Sequence, residues 1–127
     1  MLADRARKRF AGQSAITVHK GTSEAVFPTL LPTLSGDVSF WLDGHYSAGL
    51  TYKGEQDTPI REELQEIAKN IGHFGRCRIM VDDIRCFDPT IEAFAGYPSL
   101  DWLVDWARQT GLSWHIENDM FVARKGD

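Results

Sequence analysis

The run Val38-Ser39-Phe40-Trp41-Leu42 is almost continuously apolar and ends in Asp43. A short run of this kind reads as a strand buried on both faces, the pattern of a parallel sheet covered by helices. Cys77-Arg78-Ile79-Met80-Val81 reads as a second strand, again ending in acids, Asp82 and Asp83. Ala15-Ile16-Thr17-Val18-His19, β-branched and closed by Lys20-Gly21, reads as a third.

Helical patterns separate these strands. Thr22 or Ser23 can cap a helix carrying Val26, Phe27, Leu30, Leu31 and Leu34, kept short by Pro28 and Pro32. Thr58 before Pro59 predicts an N-cap followed by an N1 proline, with Ile60, Leu64, Ile67, Ala68 and Ile71 on one face. Pro98-Ser99 opens a helix that turns Leu100, Leu103, Val104 and Ala107 inward and stops at Gly111. Arg5 to Ala11 reads as a charged N-terminal helix. Leu112–Glu117 and Met120–Arg124 flank Asn118-Asp119, a pair that tolerates positive φ, and so predict a tight hairpin. The alternation predicts one α/β domain with a mainly parallel sheet and a C-terminal antiparallel hairpin.

Composition excludes several functions. The 127 residues are 43% hydrophobic and 25% charged, enough for one folded core. Fourteen basic against eighteen acidic residues give a net charge of -4, which argues against a nucleic-acid-binding face. The basic run Arg5, Arg7, Lys8 and Arg9 is read as a solvated helix face. No apolar run approaches the ~20 residues of a membrane span, and the start has no signal-like apolar stretch. Cys77 and Cys86 make no CxxC pair and are read as reduced thiols, so the expected compartment is the cytoplasm.

Ligands of open α/β sheets bind at the carboxyl ends of parallel strands. If the two acid-ended strands are neighbours, Asp43, Asp82 and Asp83 converge on one rim. Converging carboxylates repel unless protonated or held by a cation, and an all-oxygen set favours Mg²⁺ or Ca²⁺. Each acid taken singly could equally cap a helix or solvate a loop. Gly44 to Gln56 is long and aperiodic for a connection, the kind of loop that often carries function. It contains His45, a candidate base or substrate ligand, with Tyr46 and Ser47 as candidate substrate contacts. His19, His73 and His115 suggest no role. Trp102 and Trp106, at i, i+4 spacing, are read as core or partner packing. No GxGxxG, P-loop or GxSxG motif is present.

Three segments together, Phe40-Trp41-Leu42-Asp43-Gly44-His45-Tyr46-Ser47, Asp57-Thr58-Pro59-Ile60 leading into Glu62-Glu63-Leu64, and Ile79-Met80-Val81-Asp82-Asp83, resemble the later half of the class I S-adenosylmethionine-dependent methyltransferase fold, a Rossmann-like sheet. More narrowly they resemble the metal-dependent sugar O-methyltransferases of the macrocin type. The resemblance implies that Asp43, Asp82 and Asp83 hold Mg²⁺ and that His45 stands at a polar position of the metal turn. It further implies that Gly21, Thr22 and Ser23 lie near the adenine of S-adenosylmethionine, and that the last strand is reversed. The substrate would be a sugar or other small polar molecule, methylated on a hydroxyl. The family's first strand and glycine-rich turn have no counterpart here, which predicts a domain incomplete at its N-terminus with an unpaired edge at Val38–Asp43. Pairing of that edge between two chains is one way to resolve it. The alternative reading is a non-catalytic remnant that uses the edge, or the Trp102/Trp106 helix, for assembly. A metal-dependent hydrolase or phosphatase built on the same acids is a third.

Overall fold

A computed structural model describes residues 2–9, 11–12, 15–43, 59–88, 90 and 97–126. In chain order the elements are α1 (Leu2–Arg9), α2 (Ser23–Leu30), β1 (Gly36–Leu42), α3 (Ile60–Asn70), β2 (Phe74–Val81), α4 (Leu100–Gln109), β3 (Ser113–Glu117) and β4 (Met120–Lys125). The four strands form one mixed sheet in the order β1-β2-β4-β3. β1 and β2 are parallel, and β4 runs antiparallel to both β2 and β3. The protein is thus an α/β protein, but its sheet is not mainly parallel as the alternation predicts. The last strand inserts, reversed, between β2 and β3, and converts two of the three pairings to antiparallel ones.

Apolar residues at alternate strand positions build the core. Phe40 and Leu42 of β1, Cys77, Ile79 and Val81 of β2, and Phe121 and Ala123 of β4 face one side. On that side α3 contributes Ile60, Leu64 and Ile67, all fully buried, as its predicted apolar face requires. Phe27 of α2 meets Phe40, and Phe40 meets Phe74, with ring centroids 6.2 and 5.8 Å apart. α4 adds Leu103 and Ala107, and the indole of Trp106 donates a buried 3.1 Å hydrogen bond to the Leu64 carbonyl. Trp106 is therefore core. The Cys77 and Cys86 thiols are free and buried, and burial pushes the Cys77 thiol up to about 11, against a smaller opposing pull from Lys125.

Local chemistry sets the element ends. The Ser99 hydroxyl accepts from the Trp102 amide at 3.1 Å, a direct N-cap of α4. Gly111, at φ 79°, closes the same helix in a Schellman arrangement: Leu112 donates to the Ala107 carbonyl and Gly111 to that of Arg108. Asn118 and Asp119 have φ of 49° and 59°, so the predicted hairpin turn has the two positive-φ residues of a type I′ turn.

Four expectations change. Ala15–His19 is not a strand: no described strand pairs with it, and the Val18 carbonyl accepts instead from the Arg7 side chain of α1. β1 is not buried on both faces. Among the described strands it is an edge strand, with α2, α3 and α4 on one side, and Trp41 is 59% exposed on the other. Pro59 occupies the N-cap position of α3 rather than N1, and Thr58 lies outside the described residues. Finally, β2 begins at Phe74, earlier than the Cys77 start that the apolar pattern suggests, because its first residues pair with Gly36 and the bulge at Asp37, whose carboxylate accepts the Arg76 amide at 2.8 Å. Among the described residues, no helix is long and apolar enough to cross a membrane.

The Trp106–Leu64 bond ties α4 to α3. Trp106→Phe removes the buried donor and part of the ring volume. It is expected to lower unfolding stability by roughly 2 kcal/mol in a urea titration with an unchanged m-value.

Candidate metal centre

The parallel pairing of β1 with β2 carries the ladder past the strand ends. Leu42 is opposite Val81, and the Asp82 amide donates to the Leu42 carbonyl at 2.9 Å. Asp43 follows Leu42 directly, so it emerges beside Asp82 and Asp83 at one rim. One carboxylate oxygen from each of the three acids lies within 4.8 Å of the other two. Asp43 is exposed, whereas Asp82 and Asp83 are half-buried.

Asp83 adopts a left-handed conformation, φ 57° and ψ 50°, and opens a 3-10 turn over Ile84–Cys86. Aspartate is among the few residues that tolerate this region. The turn is held from the β3–β4 hairpin. The Ile84 amide donates to the Asp119 carbonyl at 3.0 Å, and the Arg85 amide donates to the Asp119 carboxylate at 3.1 Å. The Arg85 guanidinium spans both acids, 3.1 Å from Asp83 and in direct contact with Asp119. The two carboxylates, Asp119 foremost, raise the guanidinium's already high pKa. Beneath the rim, burial pushes the Cys86 thiol up, and the fields of Asp83, Asp119 and Asp43 add to it while Arg85 opposes them.

The donor set fits a hard divalent cation. Three oxygens equally spaced about one ion stand at most about 3.6 Å apart for Mg²⁺ and about 4.3 Å for Ca²⁺. The three carboxylate oxygens, all within 4.8 Å of one another, would reach one cation after a small side-chain rotation, with water or substrate oxygens completing its shell. Asp43, Asp82 and Asp83 are the residues that would hold it.

The other predicted site residues divide into two groups. Gly21, Thr22 and Ser23 lead into the first turn of α2, and Phe27, one turn further on, packs against Phe40 of β1. Gly21 has φ 133°, and a Cβ there would approach the Val26 side chain to 3.2 Å. Thr22 stands at the N-cap position without a side-chain capping bond. His45, Tyr46 and Ser47 lie outside the described residues. Sequence reasoning missed Arg85 and Asp119. Asp119 is read there only as a turn former, and its partner is 34 positions away. The Asp83-x-Arg85 spacing is the one local hint of an internal counter-cation.

If the acids hold a cation, Mg²⁺ or Ca²⁺ raises the melting temperature of the native chain by ligand linkage. Asp83→Asn keeps the left-handed preference but removes one charge, and is expected to weaken cation affinity at least tenfold in a calorimetric titration. Arg85→Gln removes the competing positive charge, and is expected to tighten it severalfold in the same assay. No family model, curated protein or solved structure matches this chain, so its functional reading rests on the chemistry of this rim.

Proposed function

We propose that the chain is a methyltransferase-like domain that transfers a methyl group from S-adenosylmethionine to a hydroxyl of a sugar or other small polar molecule, with a divalent cation at Asp43, Asp82 and Asp83. The observation that carries this reading is the meeting of the three carboxylates at the ends of two adjacent parallel strands. Three further features agree with the resemblance. Two parallel strands are joined through a helix, the last strand is the reversed one, and the free edge falls on β1. A Rossmann-like relationship is part of the same proposal.

In this reading Asp43, Asp82 and Asp83 fix the cation, and Asp119 positions Asp83 through Arg85. A bound divalent cation supplies Lewis acidity and orientation toward the substrate hydroxyl. His45, two residues beyond Asp43, accepts the hydroxyl proton. The hydroxyl oxygen bonds to the methyl carbon as the carbon–sulfur bond breaks, and the bonding pair leaves with sulfur. Thr22 and Ser23 hydrogen-bond the nucleoside end of the donor, so that proximity supplies much of the rate. Tyr46 and Ser47 contact the acceptor.

A second reading has its own observation. Among the described residues β1 is an edge strand carrying an exposed Trp41, which suits an assembly module without catalysis.

Calorimetric titration of S-adenosylmethionine into the chain, with and without Mg²⁺, separates the two. The enzyme reading predicts micromolar binding that Thr22→Val weakens and Thr22→Ser preserves. A folded chain that binds no donor at millimolar concentration contradicts that reading and leaves the module.

A further inference from the structure

The geometry points to a small-molecule site on the sheet face away from the helices, where Arg78 and Arg124 clasp the phosphate of a phosphate monoester whose flat ring lies over Met80 and Val122.

Strand register sets two like charges against each other. Arg78 of β2 and Arg124 of β4 are directly opposite in the antiparallel ladder, and Ser39 of β1 and Ser113 of β3 extend the row on either side. The next residues, Ile79 and Ala123, are fully buried against the helices, so the arginines project from the opposite face. Side chains so paired start about 5 Å apart at Cβ, where like charges destabilise a sheet. Arg76, two residues back on β2, adds a third exposed guanidinium. Among the described residues none of these three arginines forms an ion pair. The two acids of this face are engaged elsewhere. Glu117 is bound by the His115 ring at 2.8 Å, and that bond and the His115 charge lower its pKa more than the fields of Arg78 and Arg124 do. Asp37 accepts the Arg76 amide at 2.8 Å.

Two shallow hollows flank the pair, and Arg78 and Arg124 line both. Every residue lining them is a described one. The larger, of about 420 Å³, is lined by Met80, Met120, Val122 and His115. Val122 is only 3% exposed although it stands outside the helix-side core, so it forms the floor. The volume suits a small ring system, and methionine thioethers make favourable contacts with aromatic rings. The smaller, of about 270 Å³, is polar and brings in Ser39 and Arg76. A phosphate between the two guanidiniums receives forked, charge-assisted hydrogen bonds from both sides and offsets their repulsion. The ring it carries then falls over the methionines. One short row of arginines in a chain of net charge -4 suits a single phosphate better than a polynucleotide backbone, which needs a longer cationic track. The inference does not depend on methyl transfer, since the two hollows share no residue with the acid rim.

Amide chemical-shift titration of the isotope-labelled full chain tests it, with adenosine monophosphate, phenyl phosphate and adenosine as probes. The expected result is saturable shifts at Arg78–Met80, His115 and Val122–Arg124 with at least one of the two phosphate monoesters, and binding of adenosine at least tenfold weaker. Arg78→Gln and Arg124→Gln are each expected to weaken monoester binding at least tenfold. Each is also expected to keep or raise the melting temperature of the ligand-free chain, because it relieves the like-charge pair. The double variant Arg78→Lys, Arg124→Lys keeps both charges but loses the forks, and is expected to bind at an intermediate level. Failure of both monoesters to saturate at millimolar concentration overturns the inference. So does monoester binding that survives Arg78→Gln at full strength, or adenosine binding as tightly as its monophosphate. A single-stranded oligonucleotide that binds this face tenfold tighter than adenosine monophosphate overturns the small-molecule assignment.

Discussion

Like charges resist being brought together, and the rim of this sheet brings three together. Parallel pairing of β1 with β2 leaves Asp43, Asp82 and Asp83 at adjacent strand ends, with oxygens inside 4.8 Å. At such distances the mutual repulsion of carboxylates is several-fold stronger near a protein surface than in bulk water. Among the described residues Arg85 meets this repulsion at Asp83, and it is also bound by Asp119.

The rest of the fold follows from holding that rim in place. α3 makes the crossover that lets β2 run parallel to β1, and its three fully buried aliphatic residues anchor it to the sheet. α4 is tied to α3 by the Trp106 indole. The β3–β4 hairpin then returns, and its type I′ turn delivers Asp119 to the Asp83–Cys86 turn. Hairpin and acid turn are therefore one unit: a change at Asn118 or Asp119 reaches the carboxylates through Arg85. Among the described strands, the same arrangement leaves β1 with a neighbour on one side only.

Much of this was legible in the residues. The acid-ended apolar runs located the rim because strand direction fixes where the next residue emerges. The periodicity of Ile60, Leu64 and Ile67 and the Asn118-Asp119 pair identified α3 and the hairpin, since both signals are local. What escaped depends on distant partners. Ala15–His19 has the β-branched composition of a strand, but strand formation needs a neighbour and none of the described strands provides one. Trp41 sits in a run that reads as doubly buried, yet it is 59% exposed, because the described helices that pack on β1 lie on its other face. The Arg85–Asp119 contact joins residues far apart in the chain and leaves no periodic trace.

The central claim is that these three carboxylates act together on one cation. The most direct measurement is paramagnetic relaxation by Mn²⁺, followed in the amide spectrum of the isotope-labelled chain. The account predicts that substoichiometric Mn²⁺ selectively broadens the amides around Leu42–Asp43, Asp82–Cys86 and Asn118–Asp119, and that excess Mg²⁺ restores them. Broadening centred elsewhere, or none at all, would contradict it.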